Sequence, residues 1–254
     1  MVNIRHESRL FGKKPANGEA GKVQLYVFPF AGASFYSYNP VINAIRQVPE
    51  NNLDIRPLEL PGRGKRIGSP LLSDLGDMAD DLFSGIRNEL HSPCVFWGHS
   101  LGSILAYEVI LRLLDTGCNL PVHLLVSGRR GPAVPSREKN IGELPREEFY
   151  QKLKAYGGTP EQILREKELM DLFEPVLRAD FSAAAQERTT PVRKIPLAVT
   201  VMNGTQDTVT HRDCMGWQDI TDSPIRYEEF SGGHFFIFEH LSAVGDVIMS
   251  IVRQ

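Results

Sequence analysis

The sequence predicts an α/β fold in which a mostly parallel central sheet carries helices on both faces. Apolar runs of strand length recur along the chain, as at residues 22–28 and 122–128, and segments with helical spacing of apolar residues alternate with them. This alternation is typical of parallel strands joined by crossover helices. With 254 residues and a 42% hydrophobic composition, the chain is long enough for a large core, so we expect a single domain over residues 1–254.

Composition narrows the functional classes. The formal net charge of -3 gives no bias toward nucleic acid or anionic membranes, so we expect neither as a partner. The three cysteines lack metal-ligand spacing and suggest no disulfide framework, which favours a reducing compartment. We interpret residues 1–21, which are polar and charged, as a loosely ordered leader without a signal peptide or transmembrane helix. We therefore expect a cytoplasmic protein, and a monomer because the sequence has no obvious extra dimerising segment.

The first third of the chain contains two predicted strands. Residues 22–28 form the first, which ends in a turn of small residues at 29–34. Residues 52–60 form the second, which is followed by the basic turn 61–66. A helix is predicted next, with Ser73 as its N-cap, because the apolar residues between Leu75 and Leu90 fall mostly at spacings of three and four.

A nucleophile motif lies in the following stretch. Residues 94–97 favour a strand, the segment Gly98-His99-Ser100-Leu101-Gly102 matches the pattern G-x-S-x-G, and residues 103–111 continue as a helix without Gly or Pro. A strand, a tight turn and a helix are the setting that this motif requires. Its two glycines allow strand and helix to approach closely while the serine is strained at the tip. We therefore predict Ser100 as a catalytic nucleophile.

The alternation of strands and helices stops after residues 122–128. Between about residues 132 and 188 the sequence has helical segments and no predicted strand, including a capping-box helix start at residues 159–162. An insertion of this kind would cover the C-terminal edge of the sheet, where Ser100 lies. We predict a helical lid, with a purely structural helical excursion as the alternative.

Two later strands supply a candidate acid and a candidate base. Strand 195–202 is followed by Asp207, and strand 225–230 is followed by His234. A serine, an acid and a histidine on successive strand ends is a known chain order for hydrolases with this nucleophile turn. Position after a strand favours His234 as the general base over the other six histidines. It also favours Asp207 as the carboxylate over three later candidates, Asp213, Asp219 and Asp222.

Backbone amides complete the predicted site. We predict the amides of Leu101 and Ala31 as the oxyanion hole, with Phe30 as the alternative to Ala31, because such donors follow the nucleophile and an early strand. No P-loop, dinucleotide-binding glycine pattern or metal-ligand cluster occurs in the sequence. We therefore expect a mechanism that needs no cofactor.

Together these segments resemble the type II thioesterases that accompany non-ribosomal peptide and polyketide synthases. The motifs that carry the resemblance run from about residue 23 to the C-terminus: Phe28-Pro29-Phe30-Ala31-Gly32, Leu60-Pro61-Gly62-Arg63-Gly64, Gly98-His99-Ser100-Leu101-Gly102, Tyr156-Gly157-Gly158-Thr159-Pro160, Leu177-Arg178-Ala179-Asp180 and Gly232-Gly233-His234-Phe235-Phe236. The serine motif is widely shared, whereas the Leu-Pro-Gly-Arg and lid segments are more specific. Ala33 departs from the family pattern, which usually has a second glycine there.

The resemblance implies an α/β-hydrolase fold with a helical lid and a serine thioesterase activity. Such enzymes hydrolyse acyl thioesters on the phosphopantetheine arm of acyl- or peptidyl-carrier domains, and so edit misprimed or stalled synthases. The phosphopantetheine then comes with the substrate and is not a cofactor of the enzyme. The resemblance matches Ser100, Asp207 and His234 to the family's nucleophile, acid and base. Candidate contacts for an acidic carrier or its phosphate are Arg63, Lys65, Arg66, Arg129 and Arg130.

Other readings of the same residues stay open. A carboxylic-ester hydrolase of the lipase or esterase kind would use the same three side chains, and so would an acyltransferase. A non-catalytic carrier-binding module could retain the fold without the chemistry. The presence of all three residues in sequence argues against that last reading.

Overall fold

The computed structural model contains a six-stranded sheet in the order β2-β1-β3-β4-β5-β6, and every pair of neighbouring strands is parallel. The structure describes residues 22–49, 52–90, 93–137, 140–158, 164–186 and 191–253. The predictions of a leader at residues 1–21 and of a capping box at residues 159–162 lie outside the described residues. The strands are β1 (Val23–Phe28), β2 (Leu53–Pro57), β3 (Cys94–His99), β4 (His123–Ser127), β5 (Ala198–Gly204) and β6 (Arg226–Phe230).

Helices connect and cover the strands. They are α1 (Asn39–Arg46), α2 (Leu75–Ile86), α3 (Leu101–Thr116), α4 (Arg146–Tyr156), α5 (Lys167–Ala185), α6 (His211–Met215), α7 (Phe236–Glu239) and α8 (Leu241–Val252). Helices α1 and α8 pack against each other, and α2 packs against α3. The predicted α/β class, with a parallel sheet between helices, is confirmed.

The sheet separates two apolar cores because side chains alternate along each strand. On β1, Tyr26 and Phe28 join the core that contains α2 and α3, whereas Leu25 and Val27 join the core that contains α1 and α8. All four side chains are at most 1% exposed. Burial on both sides fixes the strand register, so the loops at the carboxyl ends of the strands have rigid supports.

Several boundaries differ from the sequence-based prediction: the strands predicted at 52–60 and 195–202 are Leu53–Pro57 and Ala198–Gly204, and both ends of α2 differ. The N-cap of α2 is Asp74, whose extended backbone precedes the helix and whose carboxylate accepts a hydrogen bond from the Asp77 amide at 3.0 Å. The prediction of Ser73 as the N-cap is therefore wrong by one residue, and α2 ends at Ile86 instead of continuing to Leu90. Serine and aspartate are similarly good caps, so propensity alone could not choose between the neighbours.

The segment between β4 and β5 is helical throughout its regular parts. We call this segment the helical insertion. It contains a 3-10 turn at Ile141–Glu143 and the helices α4 and α5. A small apolar cluster of five buried residues holds it together, namely Ile141, Phe149, Leu153, Met170 and Leu177. Among the described residues of this segment there is no strand, as the sequence pattern predicts.

Candidate active site

Ser100 lies at the tip of a sharp turn between β3 and α3. Its φ is 54° and its ψ is -117°, and no other non-glycine residue in the described parts of the chain has a positive φ. A Cβ on Gly98 would come within 2.1 Å of the Gly102 carbonyl oxygen, and one on Gly102 within 2.4 Å of the Phe28 carbonyl oxygen. Only glycine fits at both positions, which is why strand and helix can meet closely enough to expose the serine.

Buried hydroxyl groups hold this turn in place. The Ser100 amide donates to the Ser127 carbonyl at 2.8 Å. The Ser103 hydroxyl donates to the Gly98 carbonyl at 2.8 Å, and the Ser127 hydroxyl donates to the same carbonyl at 3.1 Å. Ser103 and Ser127 are both fully buried. Sequence reasoning missed these two supports: Ser127 lies 29 positions from Gly98, and Ser103, only five positions away, carries no signal beyond that of an ordinary helical serine.

Asp207 and His234 meet across the loops that follow β5 and β6. The His234 Nδ1 atom lies 2.8 Å from the Asp207 Oδ2 atom. The Asp207 side chain is fully buried and that of His234 is 10% exposed, so the pair faces little solvent. The Asp207 Oδ1 atom accepts a further hydrogen bond from the Val209 amide at 3.1 Å. With its Nδ1 bonded to a carboxylate, the imidazole presents Nε2 as the atom available for proton transfer.

The competing carboxylates have other partners. Asp213 forms the capping box of α6 with Thr210, and Arg137 donates to it at 2.8 Å. Asp222 is paired with Lys194 at the surface. The structure thus brings Asp207, and neither of these two residues, to His234.

His99 and Gly128 pack against His234, a contact that no pattern in the sequence indicates. The His99 ring is fully buried and its centroid lies 5.0 Å from that of His234. A Cβ on Gly128 would lie 2.6 Å from His99 and 3.2 Å from His234. Burial, followed by the charge on His234, lowers the pKa of His99 well below its usual value. His99 is therefore neutral at physiological pH and adds no positive charge beside His234.

Of the two predicted oxyanion donors, Ala31 lines the cavity that contains Ser100, and Leu101 directly follows Ser100 in the chain. The turn after β1 is closed by a hydrogen bond from the Ala33 amide to the Phe30 carbonyl at 2.9 Å. Ala31 is at its second position and lines the cavity that also contains Ser100. Leu101 is the first residue of α3, where backbone amides have no acceptor within the helix, so its amide as an oxyanion donor stays a prediction. Phe30 is buried against the rings of Tyr38 and Phe235, and its side chain serves packing.

A cavity of about 760 Å³ opens between the sheet edge and the helical insertion. Ser100 and His234 are in its wall. Most of its lining is apolar and comes from both parts of the molecule, including Phe30, Leu71, Tyr156, Leu177, Phe181 and Phe238. The space suits an apolar group of moderate size held next to the serine hydroxyl.

The basic residues do not form a free cationic surface. Arg63 is only 5% exposed and makes a bidentate ion pair with Asp180 of α5. Arg66 pairs with Asp81, and burial lowers the pKa of Arg129 to about 9. Arg63 is therefore not available at the outer surface, although it lines the cavity that contains Ser100, and its contact with a carrier or phosphate stays a prediction. Lys65 stays exposed, with its ammonium 3.8 Å from the centre of the Phe35 ring.

The described residues contain neither a metal-binding cluster nor a membrane-spanning helix. None of them forms a cluster of three or more His, Cys, Asp or Glu side chains able to bind a metal ion. Within the same ranges, no helix has both the length and the apolar character needed to span a membrane.

A serine on a strained strand-to-helix turn, in the same cavity as a histidine bonded to a buried aspartate at the carboxyl ends of parallel strands, is typical of the serine hydrolases of the α/β-hydrolase fold. Within that class, the chain belongs to the thioesterase domain family, whose sequence model matches residues 23–252.

Individual relatives agree with the family. The chain is 34% identical over 231 residues to a probable cadicidin biosynthesis thioesterase of Streptomyces griseus, a match that spans 91% of this chain and 62% of that protein. It is 29% identical to the gramicidin S biosynthesis protein GrsT of Aneurinibacillus migulanus, over 94% of this chain and 92% of the relative. The solved type II thioesterase BorB from the borrelidin biosynthetic cluster is 31% identical, with a TM-score of 0.82 and coverage of 92% and 94%. The resemblance to type II thioesterases seen in the sequence is confirmed.

Proposed function

We propose that this chain hydrolyses acyl thioesters on the phosphopantetheine arm of acyl- or peptidyl-carrier domains, and so clears misprimed or stalled groups from a non-ribosomal peptide or polyketide synthase. The observation that carries the proposal is the apolar cavity of about 760 Å³ with Ser100 and His234 in its wall. Membership of the thioesterase domain family and similarity to synthase-associated thioesterases support the thioester as substrate.

In the first half of the proposed reaction, the Ser100 hydroxyl attacks the thioester carbonyl while His234 Nε2 takes its proton. The buried Asp207 carboxylate, 2.8 Å from Nδ1, stabilises the imidazolium that forms. The negative oxygen of the tetrahedral intermediate accepts hydrogen bonds from the Leu101 and Ala31 amides. The carbon–sulfur bond then breaks, and His234 returns the proton to the departing pantetheine thiol, which leaves an acyl-Ser100 ester.

Water completes the cycle. His234 removes a proton from a water molecule as the water attacks the acyl-Ser100 carbonyl, and the same two amides hold the second oxyanion. Collapse of this intermediate returns the proton from His234 to Ser100 and releases a carboxylic acid. The reaction uses only water and groups of the chain itself, so the proposal requires no cofactor.

In this proposal the helical insertion acts as a lid. Tyr156 and Leu177 of the insertion line the same cavity as Ser100, which supports a role in enclosing the acyl group. A lid suits a substrate that enters on a long arm, because it can exclude water while the carrier docks outside. The proposal also includes a cytoplasmic location, where carrier-bound intermediates are made, and action as a monomer.

The decisive experiment measures release of short acyl groups from an acylated carrier protein by the wild type and by the Ser100→Ala variant. We expect a loss of about 10³-fold or more in the variant, because the nucleophile is gone. The matched control is Ser84→Ala, which removes a hydroxyl from an exposed position on α2 and should leave the rate unchanged.

Alternative functions give different results in the same assay. If the wild type leaves carrier thioesters intact but hydrolyses p-nitrophenyl esters through Ser100, the protein is a carboxylic-ester hydrolase. If acyl groups are passed to an added alcohol or amine in preference to water, it is an acyltransferase. If the carrier binds but wild type and Ser100→Ala are equally inactive on both substrate classes, the non-catalytic binding module is the correct reading.

A further inference from the structure

We propose that Asp180 is a positioning residue for the oxyanion hole, through which the lid helix α5 holds the turn that supplies the Ala31 amide. This inference rests on the proposed function, since it concerns the same Ser100-dependent reaction. It assigns a role to a buried carboxylate that does not touch the Ser100, His234 and Asp207 group.

Asp180 joins three parts of the chain at one carboxylate. Its side chain is fully buried within α5. The Oδ1 atom accepts from Arg63 Nη2 at 2.7 Å, and the Oδ2 atom accepts from Arg63 Nη1. The Oδ2 atom also accepts from the Gly32 amide at 2.7 Å. The Arg63 guanidinium balances the charge of the Asp180 carboxylate. The remaining acceptor capacity of the carboxylate is used by a backbone amide of the turn after β1.

The bond to Gly32 fixes the conformation of this turn. Residues 30–33 form a β-turn closed by the Ala33 amide, with Gly32 at its third position at a φ of 79°. Because Ala31 has no positive φ, this is a type II turn, in which the peptide between Ala31 and Gly32 has the opposite orientation from that in a type I turn. A carboxylate that accepts a hydrogen bond from the Gly32 N–H favours this orientation of the peptide. The backbone conformation of Ala31 is therefore determined by a hydrogen bond to the next peptide group along the chain.

A second contact reinforces the same connection. A Cβ on Gly32 would lie 2.5 Å from Leu177 Cδ2, so α5 packs directly on the turn at a point where no side chain fits. Leu177 is one helical turn before Asp180 and is only 7% exposed. The turn thus meets α5 through one charged hydrogen bond and one apolar contact. Movement of α5 away from the sheet would remove both, and the oxyanion donor would lose its support.

The test compares two substitutions of Asp by Asn on the same helix. Asp180→Asn weakens the hold on Gly32, whereas Asp171→Asn removes a carboxylate whose partner is Arg146 at the surface of the insertion. The rate is expressed per active site titrated with a fluorophosphonate, so that loss of folded protein does not count as loss of catalysis. We expect a lower kcat with a nearly unchanged KM for Asp180→Asn, and wild-type values for Asp171→Asn.

A double variant guards against misfolding caused by an unpaired Arg63. Asp180→Leu with Arg63→Met replaces the ion pair by apolar groups of similar volume, an exchange that is often tolerated. It leaves the Gly32 amide without its acceptor. We expect the double variant to keep its Tm within a few degrees but to have a kcat about 10- to 100-fold lower, as for weakened oxyanion stabilisation. Inhibition by an alkyl boronate, which forms a tetrahedral adduct with Ser100, should weaken in parallel.

The outcomes separate this inference from the proposed function. If kcat per titrated site and boronate inhibition stay within about threefold of wild type in both Asp180 variants, the positioning role is wrong. Should the double variant fail to fold, Asp180→Asn against Asp171→Asn decides by the same criterion. If the wild type hydrolyses only p-nitrophenyl esters, the proposed function fails, but the same comparison on those esters still tests Asp180, since they use the same oxyanion hole.

Discussion

The catalytic edge of the sheet and the helical insertion above it are held by different interactions. At the sheet edge, buried serine hydroxyls, together with glycines at which a Cβ would come within 3 Å of backbone atoms, fix Ser100 between β3 and α3. In the insertion, five buried apolar residues are supplemented by partly exposed ion pairs such as that of Arg146 with Glu174 at 3.0 Å. Geometry at the edge therefore depends on backbone packing, whereas the insertion depends on a small apolar cluster of its own. A site built this way can keep a rigid nucleophile beneath a cover with lower stability.

The largest expected effect on the rate concerns the catalytic edge of the sheet. In Asp207→Asn, the amide cannot stabilise the imidazolium of His234, so kcat should fall by about 10³- to 10⁴-fold without a large change in Tm. The measurement is acyl release per titrated site. Asp222→Asn is the control, because that carboxylate is 82% exposed and is paired with Lys194. A loss of less than tenfold would show that another group orients the base.

The next effect concerns the core of the insertion. Phe149 is fully buried in its five-residue cluster, and Phe149→Ala should destabilise the insertion by about 3 kcal/mol through loss of burial and cavity formation. Hydrogen exchange should increase in α4 and α5 while the strands remain protected, and KM should rise more than kcat falls. Phe96→Ala, in the core between the sheet and α3, is the reference variant. It should lower protection from hydrogen exchange in the strands as well as in the insertion. Equal patterns in both variants would mean that insertion and sheet unfold as one unit.

A smaller effect is a pH dependence of the free energy of unfolding, which comes from a buried histidine in the sheet. His123 on β4 is 9% exposed and bonded to the Thr200 hydroxyl at 2.8 Å, and burial, together with the charge on Arg226, lowers its pKa to about 4. The unfolded chain binds this proton with a pKa of about 6.5, so stability falls as the pH drops below that value. Between pH 7 and pH 5 the contribution is about 2 kcal/mol.

Urea unfolding of the wild type and of His123→Gln at these two pH values checks this expectation. The variant cannot titrate at this position, so its loss of stability between pH 7 and pH 5 should be smaller by about 2 kcal/mol. Identical losses in the two proteins would contradict a neutral buried His123. The insertion contributes little to this difference, since the titrating group lies in the sheet.

The smallest expected effect is at the surface of the insertion. Arg146 pairs with Asp171 and Glu174 while remaining 47% exposed, and exposed pairs of this kind are worth little. Arg146→Gln should shift the Tm by no more than about 2 °C and leave KM unchanged. A large rise in KM would show that this network, and not the apolar cluster, holds α4 on α5.

Local patterns in the sequence predicted much of this structure. The nucleophile turn, the strands before Asp207 and His234 and the helical character of the insertion each depend on residues within one stretch of chain. Prediction failed where distant residues decide the outcome. The burial of Arg63 depends on Asp180, 117 positions away, and the contact of His99 and Gly128 with His234 depends on how three loops converge. Nothing in the periodicity of either segment indicates such partners.

The positive φ of Ser100 has a consequence for engineering. A non-glycine residue in so unusual a conformation costs about 1 kcal/mol or more, and glycine would adopt it without strain. Ser100→Gly is therefore expected to be more heat-resistant than the wild type and catalytically dead. A library screened for thermal tolerance alone would enrich that inactive protein, so any directed-evolution scheme for this enzyme must couple survival to turnover.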